Sequence, residues 1–487
     1  MKKQIVSVMA VAGLSVASLA GAAEINIYGA SAQFDFLNAN AVKFVQQYCT
    51  TTVPALATGN GNVIQYKTAM GNTIKNGVVT GTNCGTASSK PAIPGSTDNF
   101  LTFRYNGFGS GEGITTRTGA TALDPEFTTG CTVTNKERLV APAGLASSPT
   151  LADGVDAAGN PVPAAQAAYV AATVCKPVQI GTSDVAFDQF TQFASDELIS
   201  ATGLNTYTVL PTFTNPGNDN KTVAVPFAFY VNPGVTATHC INSLGKHTGG
   251  YCTSSNTEQC LSGDTCETTP STITNISRLQ ANILYSGTIL NWNKLGSYFT
   301  SNPVKLCMRK PGSGTHVGFD VTVMRAAGKT GWGADYTTFA NNDLANVLPY
   351  TNFAGSTTDM KACIGGTDTT FVSPTGAAIP ATGAIGYMDA DNGNSATTAP
   401  LYNKLTYNGV SANRTNVRNG AYEFYTVGHM YTDASALANA VVAYVQTPAN
   451  VPSGKAAFWA TVNEMNFVRG SDPAYPSKTT ATAPIAP

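Results

Sequence analysis

The 487-residue chain is predicted to fold as an α/β protein of two or more lobes. Three observations carry that expectation. Short apolar strands recur, each followed by a glycine-rich turn and then a helical pattern, which is the repeating logic of α/β sheets. About 460 residues remain after an N-terminal leader is set aside, more than one hydrophobic core usually serves. No fixed period of a few tens of residues marks a solenoid.

The chain starts Met1-Lys2-Lys3, runs apolar from Ile5 to Ala20 and continues Gly21-Ala22-Ala23. A basic start, a short apolar core and small residues at the end predict a secretory signal peptide over residues 1–23, cleaved after Ala22 or Ala23. With no cysteine near that cut, a bacterial lipid anchor is not indicated, and no later apolar run is long enough to span a bilayer. A periplasmic or extracellular protein is expected.

Glu24 to Tyr28 alternates as a strand, and Gly29-Ala30-Ser31-Ala32 breaks it. A helix is predicted over Phe34 to Tyr48, with Phe36, Leu37, Ala41, Phe44 and Val45 on its apolar side. Leu101 to Tyr105 reads as a strand entering Gly109-Ser110-Gly111. Residues 115–178, rich in Ala, Gly, Thr and Pro, read as a loop-dominated insertion. Val178 to Gly181 returns to strand character ahead of Thr182-Ser183-Asp184, and Val223 to Val231 is an apolar strand interrupted by Pro226. Residues 239–266 form a cysteine-dense insertion. A helix follows from Ile276 to Leu284, and Trp292 is expected in the core. Val304 to Met308 is the strand that delivers Arg309, with a helix expected from Val317 to Ala327. Gly383 to Met388 is a late strand, Ser435 to Val445 and Lys455 to Val468 are predicted helices, and residues 471–487 a flexible tail.

Charged residues make up 11% of the chain, against roughly 25% in ordinary soluble domains. Without Lys2 and Lys3 the count is 25 basic against 28 acidic, a net charge of −3. There is no basic stripe of the kind that binds nucleic acid, so any anion must be held by a local site. Ten cysteines suit an oxidising compartment. Pairing of neighbours in order is favoured, such as Cys49 with Cys84 and Cys131 with Cys175.

The run Arg309-Lys310-Pro311-Gly312-Ser313-Gly314-Thr315-His316 carries the clearest chemistry. Arginine is a planar, permanently charged fork that fits a tetrahedral oxyanion. The turn after it aims N–H groups and hydroxyls at one point, and a helix start adds a partial positive charge. Three more polar turns precede it: Gly29 to Phe34, Gly109-Ser110-Gly111 and Gly181-Thr182-Ser183-Asp184. Turns at the C-terminal ends of parallel strands converge, and ligands bind there.

With these segments in order, the chain resembles the phosphate-binding proteins of bacterial ABC importers, in the type 2 periplasmic-binding-protein superfamily. The resemblance rests on the opening Gly-Ala-x-Ala-x-Phe, the Gly-Ser-Gly turn, Gly-x-Ser-Asp, and Arg-x-x-Gly-Ser-Gly-Thr with Phe319 beyond. Ser286 to Ile289 with Asn291-Trp292-Asn293, and Gly383 to Tyr387, match further stretches. It implies two lobes, each a mixed sheet flanked by helices, closing on phosphate in the cleft between them. Lobe one would comprise residues 24–226 and 386–487, and lobe two residues 227–385. It further implies that Phe34 donates its backbone N–H, Ser110 its hydroxyl, Arg309 paired charged bonds, and Ser313, Gly314 and Thr315 backbone and hydroxyl donors. Asp184 would accept a proton carried by the anion, favouring phosphate over sulfate. Gln33 stands where the family usually has threonine. The implied partners are inorganic phosphate and a membrane permease; a monomer without cofactor, metal or enzymatic activity is expected.

Plainer readings stand beside these. Arg309 alone suits a surface ion pair, Asp184 a helix cap near Val185, and Ser110 a tight turn. His239 and His247 with Cys240, Cys252, Cys260 and Cys266 invite a zinc reading, but exported cysteines more often pair with one another. His316 is expected to be structural. The functional alternatives are a secreted phosphatase on the same fold, or an extracellular surface protein that has kept the fold without transport.

Overall fold

The computed structural model describes residues 23–54, 63–67, 73–143, 154–155, 161–190, 213–253, 255–310, 312–325, 350–367, 379–395 and 397–478. The expected signal peptide, apart from Ala23, lies outside the described residues, as do Pro311, Ala326, Ala327 and residues 479–487.

The protein is a mixed α/β structure built on one large sheet with helices. The strands Ile180–Ser183, Ala23–Gly29 and Phe100–Gly107 run parallel, with Ala23–Gly29 in the middle. Ile25, Ile27 and Tyr28 of that middle strand are all buried, as in a parallel strand covered on both faces. The helix Ser31–Tyr48 packs on this unit with Phe36, Leu37, Ala41, Phe44 and Val45 buried, the side its periodicity predicts. A second parallel unit consists of Thr351–Ala354, Lys305–Arg309 and Ala384–Asp389, with the arginine strand in the middle.

Two antiparallel strands join the units. Asn218–Val231 pairs with Tyr425–Thr432 from Asn218 to Pro226, then with Ala384–Asp389 from Phe227 to Val231. Pro226 has no N–H to give to a ladder, and the change of partner falls at it. Tyr425–Thr432 continues to Ile180–Ser183, so both units share one hydrogen-bonded sheet. An aromatic core lies beside the second unit, where Phe319 stacks on Tyr387 with centroids 4.5 Å apart and Phe229 meets Phe424 at 5.1 Å.

Several expectations need correction. Lys455 to Val468 is not a helix. Ala460–Thr461 is captured as a strand by Val223 and Ala224, and Trp459 stacks on Phe36 at 5.5 Å, so tertiary pairing overrides the helical period. The helix beyond Arg309 begins earlier than Val317, at Gly314, and passes at Asp320 into a π-helical turn ending at Met324. Residues 115–178 hold an antiparallel strand pair, Glu137–Val140 with Val174–Pro177, and a helix, Pro163–Ala172. The buried ion pair of Arg138 with Glu112, 2.6 Å apart, pins that strand pair to the helix Ser110–Thr118. The tail is packed as far as Lys478: Ser477–Lys478 pairs with Phe467–Val468, and Asp472 is buried.

Cys49 bonds Cys84 and Cys131 bonds Cys175, in line with neighbours in order, as does Cys307 with Cys363. The dense insertion departs from it: Cys240 bonds Cys260 and Cys252 bonds Cys266. In the three-stranded sheet there, Cys240 stands directly opposite Cys266, yet each bonds a different cysteine.

Candidate functional site

Each predicted site residue stands at or just past the C-terminal end of a parallel strand. Ala23–Gly29 leads to Gln33 and Phe34, Phe100–Gly107 to Ser110, Ile180–Ser183 to Asp184, and Lys305–Arg309 ends at Arg309 itself. The two units run in opposite directions, one beside the Asn218–Pro226 half of the long strand and the other beside its Phe227–Val231 half, so the C-terminal strand ends of both face each other where the halves meet.

All four turns touch: the Gly109 N–H donates to Gly29 O at 2.8 Å and the Ala30 N–H to Thr182 O at 3.1 Å. The Gly111 N–H donates to Gly312 O at 3.2 Å. The Ser110 hydroxyl donates to Asp184 Oδ2 at 3.2 Å and accepts the Asp184 backbone N–H at 3.0 Å. Gly314 lies so close that a Cβ on it would fall 2.1 Å from Ser110 Oγ and 2.9 Å from Asp184 Cβ. Glycine is thus required there by contact.

Arg309 is buried, 2% exposed, and not the surface ion pair of the plainer reading. Its Nε donates to Ala354 O at 3.3 Å and its Nη2 to Gly355 O at 3.1 Å, which orients the fork but leaves its charge unbalanced. No carboxylate among the described residues pairs with it within 4.0 Å. Burial pulls its pKa below the ordinary arginine value, against the pull of Asp389 and other acids. A buried cation without a paired counter-charge is expensive.

Two hydroxyl residues, Ser313 and Thr315, lie in the turn that follows it. Ser313 precedes the helix from Gly314 to Phe319, but its side chain makes no cap bond. The N–H groups of Gly314 and Thr315 have no acceptor within that helix, since the turn closes on Ser313 O only from His316 onward. Thr315 Oγ1 is buried without a hydrogen-bond partner among the described residues.

Asp184 is buried and caps no helix; the next helical turn, Phe187–Gln189, is preceded by Ala186. Burial raises its pKa to about 6, although hydrogen bonds from Gln33 and Ser110 and the charges of Arg309 and His429 pull the other way. It is therefore an acceptor that titrates near neutrality. Gln33 sits behind it: Nε2 donates to Ser183 O at 2.8 Å and lies 3.4 Å from Asp184 Oδ1. The Ser31–Tyr48 helix opens at Ser31, so Ser31, Ala32 and Gln33 carry the N–H groups without an intrahelical acceptor, and Phe34 comes next. The Phe34 ring stacks on Tyr105 at 5.3 Å. A cavity of about 130 Å³ opens at the same strand ends, lined by Ser31, Gly107, Ser356 and Asp389 among others.

Sequence reasoning missed four contributors. Tyr387 OH accepts the Arg309 N–H at 3.3 Å and lies 2.6 Å from His316 Nδ1, so His316 braces the strand that carries the arginine. Lys310 is buried with its ammonium 4.1 Å from the Phe108 ring centroid; burial, then the like charge of Arg309, lowers its pKa to about 7. Asp389 is buried, and burial followed by the charge of Asp391 raises its pKa. His429, opposite Ser183 in register, lies 2.8 Å from Asp219. Of these, only Lys310 had a local signal, its place beside Arg309.

No protein-family model and no curated protein matches the chain. Among solved structures the chain is similar to a candidate phosphate ABC transporter substrate-binding protein with bound phosphate from Clostridium perfringens. The identity is 12% and the TM-score 0.39, over 88% of this chain and 94% of that one. It is also similar to an ABC-type phosphate transport receptor from Vibrio cholerae, 12% identical, TM-score 0.30, over 55% of this chain and 74% of that one. A phosphate binding protein from Stenotrophomonas maltophilia is 14% identical, TM-score 0.30, over 58% and 72%. Likenesses this remote leave the function to the geometry of the strand ends.

Proposed function

We propose that the protein is an exported solute-binding protein that captures inorganic phosphate and delivers it to the membrane permease of an ABC importer. The observation that carries this reading is Arg309: a buried guanidinium, oriented by two carbonyls and paired with no described carboxylate, at the end of the strand that leads into the Ser313-Gly314-Thr315 turn, where Thr315 Oγ1 is buried without a described partner. An oxyanion would neutralise it and take up those donors. Asp184 and the Ser110 hydroxyl complete the ligand set, with Phe34 and the free N–H groups just before it at the helix start. Because a carboxylate only accepts, Asp184 welcomes an oxyanion that still carries a proton and repels one that does not, which selects phosphate over sulfate.

The lobes of this reading are centred on the two parallel units; the second keeps the whole strand Ala384–Asp389 and the short strand Thr406–Tyr407, so the boundary expected at residue 386 falls later in the chain. They would move by hinge bending in Asn218–Val231 and Tyr425–Thr432, the strands that join the two parallel units. A phosphatase on this framework would need a metal cluster or an activated nucleophile. The described groups able to hold a metal lie in the cysteine-dense insertion and not beside Arg309.

Calorimetric titration of the mature protein, freed of bound ligand by unfolding and refolding, tests the proposal. Tight one-to-one binding of phosphate with little response to sulfate is expected; binding of neither would remove it.

A further inference from the structure

The cysteine-dense insertion holds a second cluster of polar groups, independent of the anion site. Its cysteines are all used in disulfides, so no thiolate is left there for a metal. Its two histidines nevertheless converge. His239 Nδ1 lies 2.7 Å from Glu267 Oε1, and His247 Nε2 lies 3.3 Å from Glu267 Oε2. The Ser271 hydroxyl is 3.0 Å from His239 Nδ1 and 3.4 Å from His247 Nε2.

We propose that His239, His247 and Glu267, with the Ser271 hydroxyl at the fourth corner, form a binding site for a divalent zinc ion. Two imidazole nitrogens, a carboxylate and a neutral oxygen are a donor set that suits zinc. Zinc bonds of about 2.0–2.1 Å in tetrahedral array place ligand atoms about 3.3 Å apart. The four spacings here run from 2.7 to 3.4 Å, with His239 and His247 reaching different oxygens of Glu267.

The surroundings are built to hold those ligands. Cys240, next to His239, stands opposite Cys266, next to Glu267, in a braced three-stranded sheet. Glu267 Oε1 accepts the backbone N–H groups of His239 at 2.9 Å and Ser271 at 3.2 Å, so the carboxylate is oriented before any ion arrives.

One movement is needed. The two imidazoles are stacked, 3.9 Å between centroids and 10° between planes, and in-plane lone pairs of parallel rings do not meet at one point. His239 is buried, but the His247 side chain is 32% exposed at the start of the strand His247–Tyr251, so it is the ring that turns to close on the ion.

The test uses the untagged mature protein, dialysed against a chelator and titrated with zinc chloride. One-to-one binding is expected, weakened on the order of 100-fold in His247→Ala, an exposed position where the fold should survive. Cobalt chloride should give the strong visible absorption of a four-coordinate N/O site, lost in His247→Ala and in Glu267→Gln. Failure of the native protein to bind zinc, or zinc affinity unchanged in both variants, overturns the proposal. Phosphate titration should be the same with and without zinc, so the anion site is judged separately.

Discussion

The Ser110 hydroxyl is shared with Asp184 twice over, accepting its backbone N–H at 3.0 Å and donating to its Oδ2 at 3.2 Å. This pair locks the turn after Phe100–Gly107 to the turn after Ile180–Ser183. Gly314, from the second parallel unit, rests on the same hydroxyl. The residues brought together are those that would have to be together to grip one small anion.

Asp184 should make ligand-free stability depend on pH. Its folded-state pKa is raised from 3.8 to about 6, so between those values the folded protein holds a proton that the unfolded chain has released. Stability then falls as pH rises through that window, by on the order of 2–3 kcal/mol. Asp184→Asn should lack this contribution, and should also discriminate less against sulfate. Denaturant unfolding at pH 4 and pH 7 checks the first point; an equal pH dependence in wild type and variant would sink it.

Arg309→Ala should weaken phosphate binding by about 1.5–3 kcal/mol, the scale of a hydrogen bond to a charged group. Affinity is measured by calorimetry. An unaltered dissociation constant would take Arg309 out of the binding site.

Gly314→Ala should fail by collision. A methyl group 2.1 Å from Ser110 Oγ forces the two turns apart, costing roughly 1–3 kcal/mol of stability by overpacking and reducing phosphate affinity as well. A thermal midpoint and affinity equal to wild type would show that the turns do not meet as described.

His429 should work in the opposite pH direction. Burial lowers its pKa, but hydrogen bonds and charge from Asp219 and Asp472 prevail and raise it to about 9. A raised folded-state pKa means stability fully present below about 6.5 and lost as pH rises through 9, worth about 3 kcal/mol from 1.36 per unit. His429→Gln should remove that loss. Unfolding at pH 6 and pH 9.5 decides it, and a variant that still loses as much as wild type would exclude His429 as the cause.

Much of this was legible in the chain because the relevant forces are local. The alternation of Glu24 to Tyr28, the helical spacing of Phe36, Leu37, Phe44 and Val45, and the glycine turns before Ser110 and Asp184 depend on few residues and survived folding with small changes of boundary. Residues 455–468 did not follow their period, because an edge of Asn218–Val231 was available to pair with Ala460 and Thr461. The crossing of Cys240–Cys260 with Cys252–Cys266 has no signature in cysteine spacing.

By itself the sequence determined the α/β alternation and the four polar turns, since strand period, helix period and turn chemistry are properties of neighbouring residues. Only the tertiary structure decided that Arg309 is buried without a described counter-ion, that Gln33 stands behind Asp184, and that His239, His247 and Glu267 meet. Burial and charge balance are set by what packs around a side chain, and those neighbours come from distant parts of the chain.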